Sequence, residues 1–159
     1  GFREVWLCRA IASLTPIFEE AGYDLPPLRA SIGWPSHRAK RTVAECWPRA
    51  ASSIGVNEIF IAPSQDRTVD ILDHLMHELV HAIDDCRSGH GPGFRIIATD
   101  VGLEGRMPEA RAGKALRHRL LLIARTLGPI PHQRLCHAED GQAKSADSDN
   151  VSGQRLHCL

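Results

Sequence analysis

His77-Glu78-Leu79-Val80-His81 places two histidines four residues apart with a glutamate beside the first, an HExxH pattern inside an apolar-periodic stretch. In a helix, positions i and i+4 share a face, so both imidazoles can reach one metal ion. Glu78 directly follows the first histidine, where its carboxylate can act as general base toward a water. Catalytic zinc sites of this kind use three protein ligands and leave the fourth position to water or substrate. The pattern therefore points to Zn2+ as the cofactor and to a zinc-dependent hydrolase.

A third ligand has to come from elsewhere in the chain. One common solution places glycine three residues, and histidine six residues, after the second histidine. Asp84 and Arg87 stand at those places, so that solution is excluded. A second solution takes a glutamate from a later helix, for which Glu104 is the candidate. The third is His90, in Ser88-Gly89-His90-Gly91-Pro92-Gly93-Phe94. Glycines on either side let the chain leave the helix, double back and present His90 to the metal. His90 leads, with Glu104, Asp84, Asp85 and Asp100 as the alternatives.

These residues need a scaffold. Val69, Leu72, Leu75, Met76, Leu79, Val80 and Ile83 recur at helical spacing and predict a helix from about Thr68 to Cys86, capped by Asp66 or Thr68. Residues 3–21 read as a first helix with Pro16 inside it and Gly22 as its stop. Leu28 to Trp34, Arg41 to Trp47 and Asn57 to Ala62 read as strands, and their short links predict a small antiparallel sheet beside the metal helix. Asn57 to Ala62 is the expected edge strand, available for pairing with an extended peptide substrate. A short helix is expected over Gly93 to Val101, and Pro108 suits the first position of a last helix reaching Leu127. The fold class is α+β: a three-stranded sheet packed against helices, in a zincin-like minimal metallopeptidase arrangement. Residues 1–132 form the domain, and 133–159 a polar tail with few large apolar residues.

His-Glu-Leu-Val-His-Ala, followed nine residues after its second histidine by His90-Gly91-Pro92-Gly93-Phe94, resembles the SprT-like zinc metallopeptidases, whose pattern is HExxH, a short loop, then HGxxF. The resemblance extends to Glu19-Glu20-Ala21-Gly22-Tyr23-Asp24-Leu25-Pro26-Pro27, Gly33-Trp34-Pro35-Ser36, Glu45-Cys46-Trp47-Pro48 and Asn57-Glu58-Ile59-Phe60-Ile61. Downstream it includes Val101-Gly102-Leu103-Glu104-Gly105-Arg106-Met107 and Leu127-Gly128-Pro129-Ile130-Pro131-His132, and so spans about residues 3 to 132 of a bacterial or phage-type member. It implies His77, His81 and His90 as zinc ligands and Glu78 as the catalytic glutamate. It also implies a protein or peptide substrate and, from members that cut proteins crosslinked to DNA, a DNA partner. Family members often carry a C-terminal zinc ribbon with paired CxxC motifs. This chain has no CxxC; Gln154-Arg155-Leu156-His157-Cys158 looks like the lead-in to a ribbon that then stops, either cut short or lost. Cys136, His137, His157 and Cys158 leave room for a partial second zinc site only.

The net charge is zero, yet residues 1–86 carry 8 basic and 12 acidic side chains while 87–125 carry 8 and 3. Arg106, Arg111, Lys114, Arg117, Arg119 and Arg125 fall mostly on the predicted last helix, which would suit nucleic-acid phosphates or simply form a solvated face. Five cysteines at irregular spacing do not make a disulfide framework, and reduced thiols suit a cytoplasmic protein. There is no leader-like start and no apolar run of 18 residues, so no membrane partner is expected. The oligomeric state is not legible.

Several other residues receive the plainer reading. His74 is expected as a half-exposed surface histidine and not a fourth ligand, which would close the site to water. Cys46 and Trp47 are expected to pack on the sheet, and Cys86 to be structural. Tyr23 receives no oxyanion role, and His118, His132 and His137 have no motif around them. The alternative to a zinc endopeptidase is a non-catalytic, zinc-stabilised module that binds nucleic acid or a protein; the intact Glu78 favours the enzyme.

Overall fold

A computed structural model describes residues 2–36 and 42–136. The described residues have an α+β architecture of four α-helices, a three-stranded sheet and a two-stranded ribbon. The first helix, α1 (Arg3–Glu20), buries Trp6, Leu7, Ala10, Leu14, Ile17 and Phe18 on one stripe. Gly22, at φ +89°, ends it as expected. The strands are β1 (Leu28–Ile32), β2 (Ala44–Trp47) and β3 (Asn57–Ile61).

The sheet differs from the expected antiparallel one. Its order is β1-β3-β2, with β1 parallel and β2 antiparallel to β3. β3 is therefore the central strand, and the edges are β1 and β2. Alternating Asn57, Ile59 and Ile61 are buried on β3, and a one-residue slip would turn all three away from the core. Val43 extends the β2 pairing by accepting from the Ala62 amide at 2.9 Å. Backbone groups alternate sides along a strand, so those of Ala44 face away from β3, while on that same side the Cys46 amide meets Glu78 and its carbonyl meets the Cys86 thiol.

Behind the sheet runs α2 (Thr68–Ile83), which contains residues 77–81 and buries Ile71, Leu72, Leu75, Met76, Leu79 and Val80. It starts where expected but is flanked by Arg67 without a side-chain cap; the Asp66 carboxylate instead accepts from the Arg134 amide at 3.3 Å. It also stops short of Cys86. Asp85 and Cys86 take positive φ values of 56° and 59°, which carry the chain out of the helix while the Cys86 amide bonds back to the His81 carbonyl at 2.8 Å. A short helix, α3 (Pro92–Asp100), follows with Pro92 in its first turn.

The expected last helix begins later than Pro108. Pro108 lies in a single 3-10 turn, Met107–Glu109, between two short antiparallel strands, β4 (Leu103–Glu104) and β5 (Arg111–Ala112). The helix proper, α4 (Lys114–Leu127), starts after Gly113 and buries Leu116 and Leu120. The Trp6 indole N–H donates to the Gly128 carbonyl at 3.2 Å, tying α1 to the end of α4. Among the described residues no helix is long and apolar enough to cross a membrane.

Candidate metal centre

Helix geometry sets the first two donors. His77 and His81, one turn apart on α2, have ring centroids 5.1 Å apart and are partly buried. The third arrives through a tight loop. The Ser88 amide donates to the Asp84 carboxylate at 3.0 Å, and the Gly91 amide to the Ser88 carbonyl at 2.9 Å. Gly89, at φ +51°, turns the chain where a side chain would be strained. A Cβ at Gly93 would collide with the Ser88 hydroxyl and force it to turn away. The loop so closed delivers His90, whose Nε2 lies 3.1 Å from Nε2 of both His77 and His81.

Donor atoms of His77, His81 and His90 all fall within 4.8 Å of one another, and this trio could hold a metal ion. Glu104, Asp84, Asp85 and Asp100 are not part of the cluster. Their side chains have other work. Asp84 closes the ligand loop. Asp85 accepts from the Arg49 amide at 2.8 Å and the Asn57 side-chain amide at 3.1 Å, and Asp100 accepts from the Tyr23 hydroxyl at 2.6 Å. Glu104 is exposed on the β4–β5 ribbon.

The electrostatics suit ligation, which requires neutral imidazoles. Burial holds His77 down to about 4, with His90 and Arg111 adding and the Ala110 carbonyl opposing. Burial, then the neighbouring histidines, holds His81 at about 3, and burial also lowers His90. Nδ1 of His77 lies 3.3 Å from the Ala110 carbonyl, which fixes the proton on Nδ1 and leaves Nε2 free to bind. Phe94, fully buried, is the platform beneath all three rings, at centroid distances of 4.9, 4.4 and 5.1 Å from His77, His81 and His90.

Glu78 is buried beside the trio. Burial pushes its carboxyl up to about 8; Cys86 and Glu45 add to this, and the Cys46 backbone amide draws it back down. A cleft of about 580 Å³ opens over these groups, lined on one wall by Thr42, Val43 and Ala44 and on the other by Pro108, Glu109, Ala110 and Arg111.

Sequence reasoning missed the second wall. Asp73, only 3 % exposed, accepts from the Ala112 amide at 2.8 Å and pairs with Arg111 at 3.7 Å. Arg111 also lies 2.8 Å from Nδ1 of His74. His74 is therefore not a half-exposed surface residue: it is buried in the cleft wall, and burial followed by Arg111 lowers it to about 4. Only the apolar-to-polar switch at Asp73 within a buried stretch could have hinted at this. The basic block is also less of a single face than expected. Arg106 pairs with Glu109 at 3.7 Å, Arg119 with Glu20 at 2.6 Å, and Arg111 turns into the cleft. Cys136 is exposed, while His137, His157 and Cys158 lie outside the described residues.

Comparison of the chain with protein-family models, with curated proteins and with solved structures finds no match. The functional reading therefore stands on the site.

Proposed function

We propose that the protein is a zinc-dependent endopeptidase of SprT-like type, with a zincin-like fold, in which His77, His81 and His90 hold the metal and Glu78 is the general base. The observation that carries this reading is the convergence of three imidazole Nε2 atoms beside a buried glutamate at the floor of an open cleft. The all-imidazole donor set fits Zn2+, which at three-ligand sites supplies a Lewis acid and a water made nucleophilic near neutral pH.

The remaining chemistry belongs to the chain. Glu78, buried at the floor of the cleft, would as a carboxylate take a proton from water and return it to the leaving amine. A peptide can be held in extended form by the open side of β2, whose Thr42–Ala44 approach lines the cleft. This replaces the expected role of β3, which as the central strand has both sides paired. Arg111, half-exposed in the opposite wall, offers a guanidinium to a substrate carbonyl or carboxylate.

DNA-bound proteins in the cytoplasm are the substrate class suggested by the sequence resemblance. The alternative, a zinc-stabilised binding module, has no use for a carboxylate buried at the metal. Glu78→Gln separates the two. Digestion of a denatured protein, with and without single-stranded DNA, should fall by at least about 100-fold in the variant while metal content is unchanged. Equal digestion by both proteins, or none by the metal-loaded wild type, would refute the enzyme.

A further inference from the structure

We propose that Cys46 and Cys86 are an oxidisable thiol pair, a modification site at which a hydroperoxide joins the outer strand β2 to the segment leaving α2. Their sulfurs lie 3.6 Å apart although the residues are 40 positions apart in the chain. The Cys86 thiol also points at the Cys46 carbonyl, at 3.5 Å. A disulfide needs about 2.05 Å, so each sulfur has to move by roughly 0.8 Å, within reach of small side-chain rotations.

The backbone around Cys86 is built to keep it there. Two successive non-glycine residues, Asp85 and Cys86, hold left-handed φ values that cost energy unless the surroundings enforce them. The enforcement is visible: the Asp85 carboxylate is gripped by the Arg49 amide and Asn57, and the Cys86 amide by the His81 carbonyl. Both thiols are only partly buried, open to a small oxidant. The Cys86 thiol is aimed at the Cys46 sulfur, so the two groups already face one another. Either sulfur, once deprotonated, can attack the oxidant while the other resolves the product.

The steps balance as follows. One of the two thiols, as its thiolate, attacks one oxygen of a hydroperoxide, breaking the O–O bond; sulfenic acid forms and the other oxygen leaves as water or alcohol after taking a proton. The second sulfur attacks the sulfenic sulfur, the S–O bond breaks, and water leaves with the proton of that second thiol. Two thiols lose two electrons in total, and the peroxide gains them. The inference concerns these thiols alone and does not depend on the peptidase reading.

The test uses the full chain with Cys8, Cys136 and Cys158 replaced by serine, reduced and then treated with stoichiometric hydrogen peroxide. The expected product has lost about 2 Da, yields a peptide linking Cys46 to Cys86, and is restored by dithiothreitol. It should also melt at least about 5 °C higher than the reduced protein, because the cross-link closes a long loop. Adding Cys46→Ser should stop the reaction at a sulfenic acid on Cys86 that dimedone traps. Mapping the cross-link in untreated-sequence protein guards against a variant that misfolds. Three results would overturn the proposal: a gain of about 16 or 32 Da without a cross-link, no reaction in protein shown folded by circular dichroism, or release of zinc in step with thiol loss.

Discussion

Replacing Asp73 probes how the second wall of the cleft reaches the metal centre. Its carboxylate accepts from the Ala112 amide at 2.8 Å, two residues beyond the Ala110 carbonyl that orients His77. Asp73→Ala leaves that amide with no acceptor, at a cost of about 1–3 kcal/mol. Part of this is returned, because burial is the largest influence on Asp73 and raises its pKa, so the ionised carboxylate itself is costly there. A net loss of about 1 kcal/mol is expected for alanine. Asp73→Asn keeps an acceptor of the same shape and removes the desolvation, so its stability should stay within about 0.5 kcal/mol of wild type. Metal affinity should fall in the alanine variant by about 10-fold or more, since the carbonyl partner of His77 is displaced. Urea unfolding of metal-free protein gives the first quantity, and competition with a chromophoric zinc chelator the second. An alanine variant that loses stability but keeps wild-type metal affinity would refute the link from Asp73 through β5 to His77.

Other expectations concern the trio and its surroundings. His90→Ala should lower zinc affinity by at least about 100-fold in equilibrium dialysis; retention of tight binding would return the third donor to another residue. Phe94→Ala empties the platform beneath the three rings and should cost about 3–5 kcal/mol in urea unfolding, with Phe94→Leu losing much less. His74 is held at about 4 against an ordinary 6.5, so its share of stability is complete above pH 6.5 and is lost as pH falls toward 4. That share is worth up to about 3 kcal/mol. His74→Gln should therefore show a shallower fall in stability between pH 6.5 and 4 than wild type, and an unchanged slope would count against the buried neutral imidazole.

Features set by local spacing were legible in the sequence, and features set by distant partners were not. His77 and His81 share a helix face, and Gly89 and Gly93 permit the loop that delivers His90, so the trio could be read within a short window. The positions of the strands followed from their residue types, but their order did not: alternation along Asn57–Ile61 reports burial on one face and says nothing about which strands lie on either side. Pro108 suits the first turn of a helix and of a 3-10 turn alike, so the β4–β5 ribbon was hidden until Asp73 and the Ala112 amide came together across 39 positions. For the same reason His74 looked like a surface residue, because the Arg111 that covers it lies 37 positions away. Helix α2 was read too long because the turn at Asp85 and Cys86 uses neither glycine nor proline.

The three donors all lie within residues 77–90, whereas the platform and the orienting carbonyl, Phe94 and Ala110, come after them. On a ribosome the chain emerges from its N-terminus, so β1, β2, β3 and the full donor set are present before β5 or α4 has been made. Closing so short a loop costs little entropy. A cation captured at that stage would tie α2 to the start of α3 while half of the cleft is still unmade. Synthesis of Pro108 to Arg111 would then complete a cleft whose donors were made first.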